Sequence, residues 1–146
     1  MSMRRSNPRL QGLIGVGAAI DWFTRAGYVV SIPLNDNQPY DLVVDDSERL
    51  LRVQVKTTTA RGRYGNFQLA LQTAGGNQSF HTRKPFDNTA SELLFALTDA
   101  GDVYVIPCHA IAARTMISLC GKYDAYRQPR WPDPAAVSSG CPNAAG

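Results

Sequence analysis

Apolar positions recur along this chain with two different periods, and the change from one to the other lays out its elements. Over residues 10–26, Leu13, Val16, Ile20 and Phe23 recur at three- and four-residue spacing, the single stripe of an amphipathic helix. Gly27 follows the stripe, as expected of a residue that ends a helix in the left-handed conformation. Gly12, Gly15 and Gly17 weaken the first turns and blur the helix start. Trp22 lies beside the stripe and is expected in the core. Residues 1–9, with Pro8 and several polar side chains, read as an N-terminal arm.

From residue 28 the period shortens to that of extended chain. Residues 28–32 are β-branched and aromatic and are closed by Pro33; Asn35-Asp36-Asn37-Gln38-Pro39 is loop chemistry. Residues 40–44 and 50–58 read as strands joined by a turn at Asp45-Asp46-Ser47, a hairpin. A basic glycine-bearing loop, Arg61-Gly62-Arg63-Tyr64-Gly65, leads to a strand at 67–71, where Phe67, Leu69 and Leu71 share one side. A polar stretch containing Gly75-Gly76-Asn77 then runs to about residue 90, longer than a tight connection needs. A second hairpin, 93–97 with 103–106, brackets Asp99-Ala100-Gly101-Asp102. Ile111, Thr115 and Leu119 have helical spacing, with a short strand near Ile117 as the alternative. From residue 128 proline, alanine, serine and glycine dominate and predict a tail with little fixed structure. The expected fold is α+β: residues 10–127 around one central, mostly antiparallel sheet, with a second helix on the same side as the first or capping an edge.

Composition narrows the class. A chain of 146 residues, 44% hydrophobic and 18% charged, suits one globular domain. No apolar run reaches bilayer length, and no signal-peptide pattern opens the sequence. Cys108, Cys120 and Cys141 are odd in number and widely spaced, without a disulfide or metal-knuckle pattern. A cytoplasmic, nucleoid-associated setting is expected, with no membrane partner. Net charge is +3. Its distribution says more: Arg4, Arg5 and Arg9; Arg61 and Arg63; Arg83 and Lys84; Arg127 and Arg130. That distribution is compatible with nucleic acid, although each group alone also fits an ordinary solvated surface. His81 and His109 have no companions at metal-ligand spacing.

The strand Leu51-Arg52-Val53-Gln54-Val55-Lys56 carries the candidate chemistry. Alternation puts Leu51, Val53 and Val55 on a core face and Arg52, Gln54 and Lys56 on the other. A turn centred on residues 46–48 sets position 41 opposite about 53 or 54, so Asp41 falls beside Gln54 and one step from Lys56. A carboxylate, an amide oxygen and the Val55 carbonyl suit Mg²⁺, which takes oxygen ligands and keeps several waters. Lys56 can orient a nucleophile or offset charge developing on a phosphate. The simpler explanation is an exposed strand face with an Asp41–Lys56 salt bridge.

Tyr40-Asp41-Leu42 followed by Arg52-Val53-Gln54-Val55-Lys56-Thr57-Thr58 resembles the PD-(D/E)XK nuclease superfamily. Within it, the chain looks like the group I intron-associated homing endonuclease branch, related in fold to archaeal Holliday-junction resolvases. The resemblance runs from about Leu10 to Arg127, through residues 27–34, Gly75-Gly76-Asn77, Phe86-Asp87, Leu94-Phe95 and Ile106-Pro107. It implies a sheet flanked by helices and a Mg²⁺-dependent phosphodiesterase (Mn²⁺ as substitute) acting on DNA. By the same resemblance, Asp41 matches the metal-binding aspartate, Gln54 stands where most members carry Asp or Glu, and Lys56 matches the catalytic lysine. Many members also carry a helix glutamate, which falls at about Val16 here; Asp21 faces about 140° away from it, and Asp36 can help from the loop.

The expected function is therefore endonucleolytic cleavage of duplex or branched DNA by a homodimer. Arg61, Arg63, Tyr64, Arg83 and Lys84 are the candidate DNA contacts. The rival reading is a nuclease-fold module, from a mobile element or phage, that binds DNA or protein without cleaving.

Overall fold

A computed structural model describes residues 7–74 and 83–129. The helix α1 spans Pro8–Arg25 and begins two residues earlier than the apolar stripe predicts. Pro8 and Arg9, assigned to the arm, form its first turn. Asn7 caps it, its side chain accepting from the Leu10 amide at 3.1 Å, and Pro8 follows where no amide partner is needed. Gly27, at φ 92°, ends it as the sequence predicts.

Among the described residues ten strands follow: β1 Val29–Ser31, β2 Leu42–Asp45, β3 Leu50–Thr58, β4 Gln68–Ala70, β5 Thr73–Ala74, β6 Arg83–Lys84, β7 Leu93–Thr98, β8 Val103–Pro107, β9 Met116–Ser118 and β10 Arg127–Gln128. Six form the central mixed sheet in the order β1-β2-β3-β7-β8-β10, antiparallel except for the parallel β3–β7 pair. Gln128, assigned to the tail, closes β10. Small sheets pair β4 with β9 and β5 with β6.

Each face of the central sheet has its own core. On one, α1 lays Ala18, Ala19, Trp22 and Phe23 over Leu42, Val44, Val53, Phe95 and Leu97. Phe23 stacks edge-on to Trp22 at 5.0 Å and to Tyr28 at 5.2 Å, an arrangement that aligns positive ring edges with negative faces. The buried stripe is rotated from the predicted one: Leu13 is 70% exposed, while Gly15 and the two alanines turn inward. Small residues win because they let the helix backbone approach β3. A Cβ on Gly15 would lie 2.5 Å from Thr57 Cγ2.

The opposite face is covered by a second core of Leu69, Leu71, Phe86, Leu94, Ile106, Ile111 and Ile117. The helix expected over 111–119 is absent. Cys108–Ala110 is a single 3-10 turn and β9 occupies the middle of the segment, the alternative that the sequence left open. Pairing with β4 (Leu69 opposite Ile117) buries Ile117 and Leu119 on alternate positions, a tertiary contact that overrides helical spacing. The sheet is thus covered by a helix on one face and by a thin β layer on the other. Among the described residues no helix is long and apolar enough to cross a membrane.

Candidate active site

The hairpin between β2 and β3 fixes the site. Asp45 Oδ1 accepts the Ser47 amide at 2.8 Å, and Asp46 Oδ1 accepts those of Glu48 and Arg49 at 2.9 and 2.8 Å. These bonds hold a four-residue turn that pairs Asp45 with Leu50 and Leu42 with Val53. One step further, the Asp41 amide donates to Val53 O at 2.8 Å, which sets Asp41 beside Leu42 against the same residue of β3. Gln54 and Lys56 alternate with Val53 and Val55 and point away from α1, and both line one cleft with Asp41.

Pro39 cannot extend the ladder, and β2 stops. Beyond Gln54 the β2 side of β3 has lost its neighbour, and the Asp41 side chain fills the gap: its Oδ2 accepts the Val55 amide at 2.7 Å. The amide and carbonyl of one strand residue point the same way, so the Val55 carbonyl also faces the space that β2 vacates. The site lies not at the sheet edge, as the hairpin alone suggests, but at a notch inside the sheet, with β7 bonded to the other side of β3.

The notch opens into a cleft of about 860 Å³ lined by Asp41, Gln54, Val55 and Lys56 together with Asp36, Lys84 and Asp87. Gln54 is only 8% exposed, and no described residue hydrogen-bonds its amide. Since no buried side-chain polar atom is left unpaired, that amide meets the cleft solvent. Asp41 is exposed as a residue, yet its carboxyl is crowded. Burial pushes its pKa up, outweighing the Val55 hydrogen bond and the Lys56 charge. Burial likewise holds the Lys56 ammonium below its ordinary pKa, opposed by Asp41. Lys56 Nζ reaches Gln72 O at 3.5 Å. Among the described residues the two do not form a direct ion pair, so the salt-bridged strand face is not what the sequence built.

The donor set fits a hydrated Mg²⁺: one carboxylate, the Gln54 amide oxygen and the Val55 carbonyl, all hard oxygens, with room for waters and phosphate oxygens. Among the described residues no three His, Cys, Asp or Glu side chains gather to hold a metal alone. Val16 packs against the helix-side core and offers no ligand.

Other predicted residues separate. Lys84 lines the cleft, whereas Arg83, its neighbour on β6, does not. Arg61, Arg63 and Tyr64 lie in the loop beyond β3, outside the cleft lining. His81 and Cys141 fall outside the described residues; His109 is exposed. Cys108 is buried against Ser91 Oγ at 3.4 Å, and burial raises its thiol pKa, the opposite of an activated nucleophile.

The sequence reading missed Asp87 and the Arg52–Glu92 pair. Asp87 Oδ1 accepts both the amide and the hydroxyl of Thr89, at 2.9 and 2.6 Å, which holds its pKa down. The Asp-Asn-Thr turn signal was visible; its place at the cleft was not. Glu92 accepts from Arg52 Nη2 and from the Arg52 amide, each at 2.6 Å, and Arg52 Nη2 also reaches Thr89 O at 3.4 Å. The pair ties β3 to the segment entering β7, two residues from Gln54.

The profile of the PD-(D/E)XK endonuclease family matches residues 6–130. The structure of the bacterial homing endonuclease I-Ssp6803I superposes with TM-score 0.72 and 27% identity, over 83% of this chain and 88% of that one. MepB, at TM-score 0.39 and 11% identity, covers 65% of this chain and 70% of its own. A search among curated proteins returned no match. With the family profile spanning residues 6–130, the protein belongs to the PD-(D/E)XK endonuclease family.

Proposed function

We propose that this endonuclease hydrolyses phosphodiester bonds in duplex or branched DNA, with Asp41, Gln54 and Lys56 as its catalytic group. The observation that carries the reading is the convergence of those three side chains on one notch, beside the stretch of β3 that has no β2 neighbour. Asp41, Gln54 and the Val55 carbonyl would hold Mg²⁺, with Mn²⁺ as a substitute. Bound there, the ion supplies Lewis acidity toward a phosphoryl oxygen and makes a water more acidic. Lys56, with its ammonium destabilised by burial, sits where it can steady charge growing on the phosphate or hand over a proton. Lys84 adds a second cation to the cleft. The likeness to a homing endonuclease supports a mobile-element origin, and cutting both strands of a duplex favours a homodimer acting in the nucleoid. A single nuclease domain over residues 10–127 is proposed, with Pro8 and Arg9 added to it by α1 and Gln128 by β10.

Incubating the protein with supercoiled plasmid and a synthetic four-way junction, with Mg²⁺ or Mn²⁺, tests this. Cleavage is expected with either metal, and Lys56→Ala should lower its rate by about 10²–10³-fold. A second reading rests on Asp41 as the sole carboxylate among the proposed metal ligands: a domain that binds DNA without cutting it. Wild type that cuts neither substrate, with Gln54→Glu equally inert, would establish that reading instead.

A further inference from the structure

Between Glu48 and Asp87 the chain has no acidic residue, while seven Lys or Arg fall in the interval: Arg49, Arg52, Lys56, Arg61, Arg63, Arg83 and Lys84. Past Thr58, β3 leaves the cleft and runs straight into a hairpin at residues 60–68. The Gln68 amide donates to Ala60 O at 2.9 Å and the Gly62 amide to Asn66 O at 2.8 Å, and Arg61 bridges Phe67. A turn closes it, Gly65 N to Gly62 O at 3.0 Å, with Arg63 and Tyr64 at its two central positions. Gly65, at φ 83°, supplies the left-handed residue such a turn requires.

The base of the hairpin is anchored. Phe67 is buried in the second core, and the Arg61 guanidinium lies 4.0 Å from its ring centroid while donating to Gly65 O at 2.7 Å. Arg61 thereby braces the turn from the side of the core. The tip is different. Tyr64 is 86% exposed, and the Arg63 guanidinium stands 5.9 Å from its ring. An aromatic ring and a cation held out on a braced turn do nothing for the core, and little ordering remains to oppose their binding.

We infer that the tip at Arg63 and Tyr64 is a DNA-reading element that enters a groove of the duplex whose backbone lies in the cleft. The inference rests on the DNA-cleaving reading above and names the second contact of that substrate. A two-stranded ribbon fits the major groove. Six residues separate Lys56 from Gly62, a reach of at most about 20 Å at the usual strand rise, within the length of about six base pairs at 3.4 Å each. Arg63 meets a phosphate or a base edge, and the Tyr64 ring packs on bases or sugars.

Fluorescence anisotropy with a fluorescein-labelled 40-bp random-sequence duplex in EDTA, across a KCl series, tests it without cleavage. Tyr64→Ala should weaken binding about tenfold with an unchanged salt slope, and Tyr64→Phe should restore it. Arg63→Ala should reduce the log–log slope by about one. Circular dichroism on each variant identifies any that fail to fold, and Tyr64→Phe stands as the isosteric check. If wild type binds and neither alanine variant differs from it, the tip assignment is overturned. So it is if DNA binding is unchanged and sedimentation shows weakened self-association, which gives the tip to an interface between copies. A wild type that binds no duplex refutes both this inference and the proposed function. One that binds through the tip but never cuts refutes only the cleavage reading.

Discussion

Glutamine at position 54 lends the notch a carbonyl oxygen but no charge, so in the proposed site Asp41 alone offsets the charge of a bound cation. Gln54→Glu should tighten Mg²⁺ binding to the free protein by on the order of tenfold, since added ligand charge raises cation affinity. Isothermal titration calorimetry checks this, and equal affinities would remove Gln54 from the ligand set. Glu92 makes a separate statement about pH. Its hydrogen bond from Arg52 holds its pKa below the ordinary 4.5. The sign follows from linkage: a depressed acid stabilises the fold above its unfolded pKa, and that stability is lost as pH falls through the lower folded value. Glu92→Gln should therefore lower urea midpoints at pH 7 while flattening their decline below about pH 4.5; parallel curves for the two proteins would contradict it. At this scale legibility followed sequence distance. Asp41, Gln54 and Lys56 could be assembled on paper because the Asp45-Asp46-Ser47 turn sets a local register. Asp87 reaches the cleft, and Glu92 reaches Arg52, through the parallel pairing of β3 with β7, which no local signal announces.

Helix α1 and strand β9 show how elements can be recognised and still be misplaced. The sequence located α1 to within two residues, but ranking side chains by hydrophobicity put Leu13 inside and overlooked Gly15. What decides the buried face is how near the backbone must come to β3. Gly15→Val should destabilise the protein by about 1–3 kcal/mol through overpacking against Thr57 and Val55. Gly17→Ala should instead stabilise it by about 0.5–1 kcal/mol, since a Cβ there meets nothing within 4 Å. Thermal unfolding of both variants measures the difference, and a shift of the same sign in each would show that the close approach is not limiting. Around β9, Leu119 fits two patterns, helical spacing with Ile111 and Thr115 and strand alternation with Ile117. Only the presence of β4 across the way chooses between them.

The molecule as a whole has a back, where α1 seals the sheet, and a front, where the proposed catalytic residues meet solvent between loops. The α+β class and its central sheet were readable from the two periods. The β layer on the front was not, because β4, β5, β6 and β9 are each two or three residues long and rely on partners far along the chain. The character of the cleft on that front has a topological consequence. Its walls at Asp36, Asn37, Gln38, Pro39 and Asp87 are exposed loop residues, so among the described residues it is a trough open along the surface. A polymer can be laid into a trough sideways, whereas a tunnel must be threaded from a terminus. Strand termini should accordingly confer no advantage: a covalently closed circle and the same DNA linearised should be cut at the same sites with equal initial rates. Gel analysis of matched circular and linear substrates would show it, and a strict preference for the linear form would mean that the strand enters by its end.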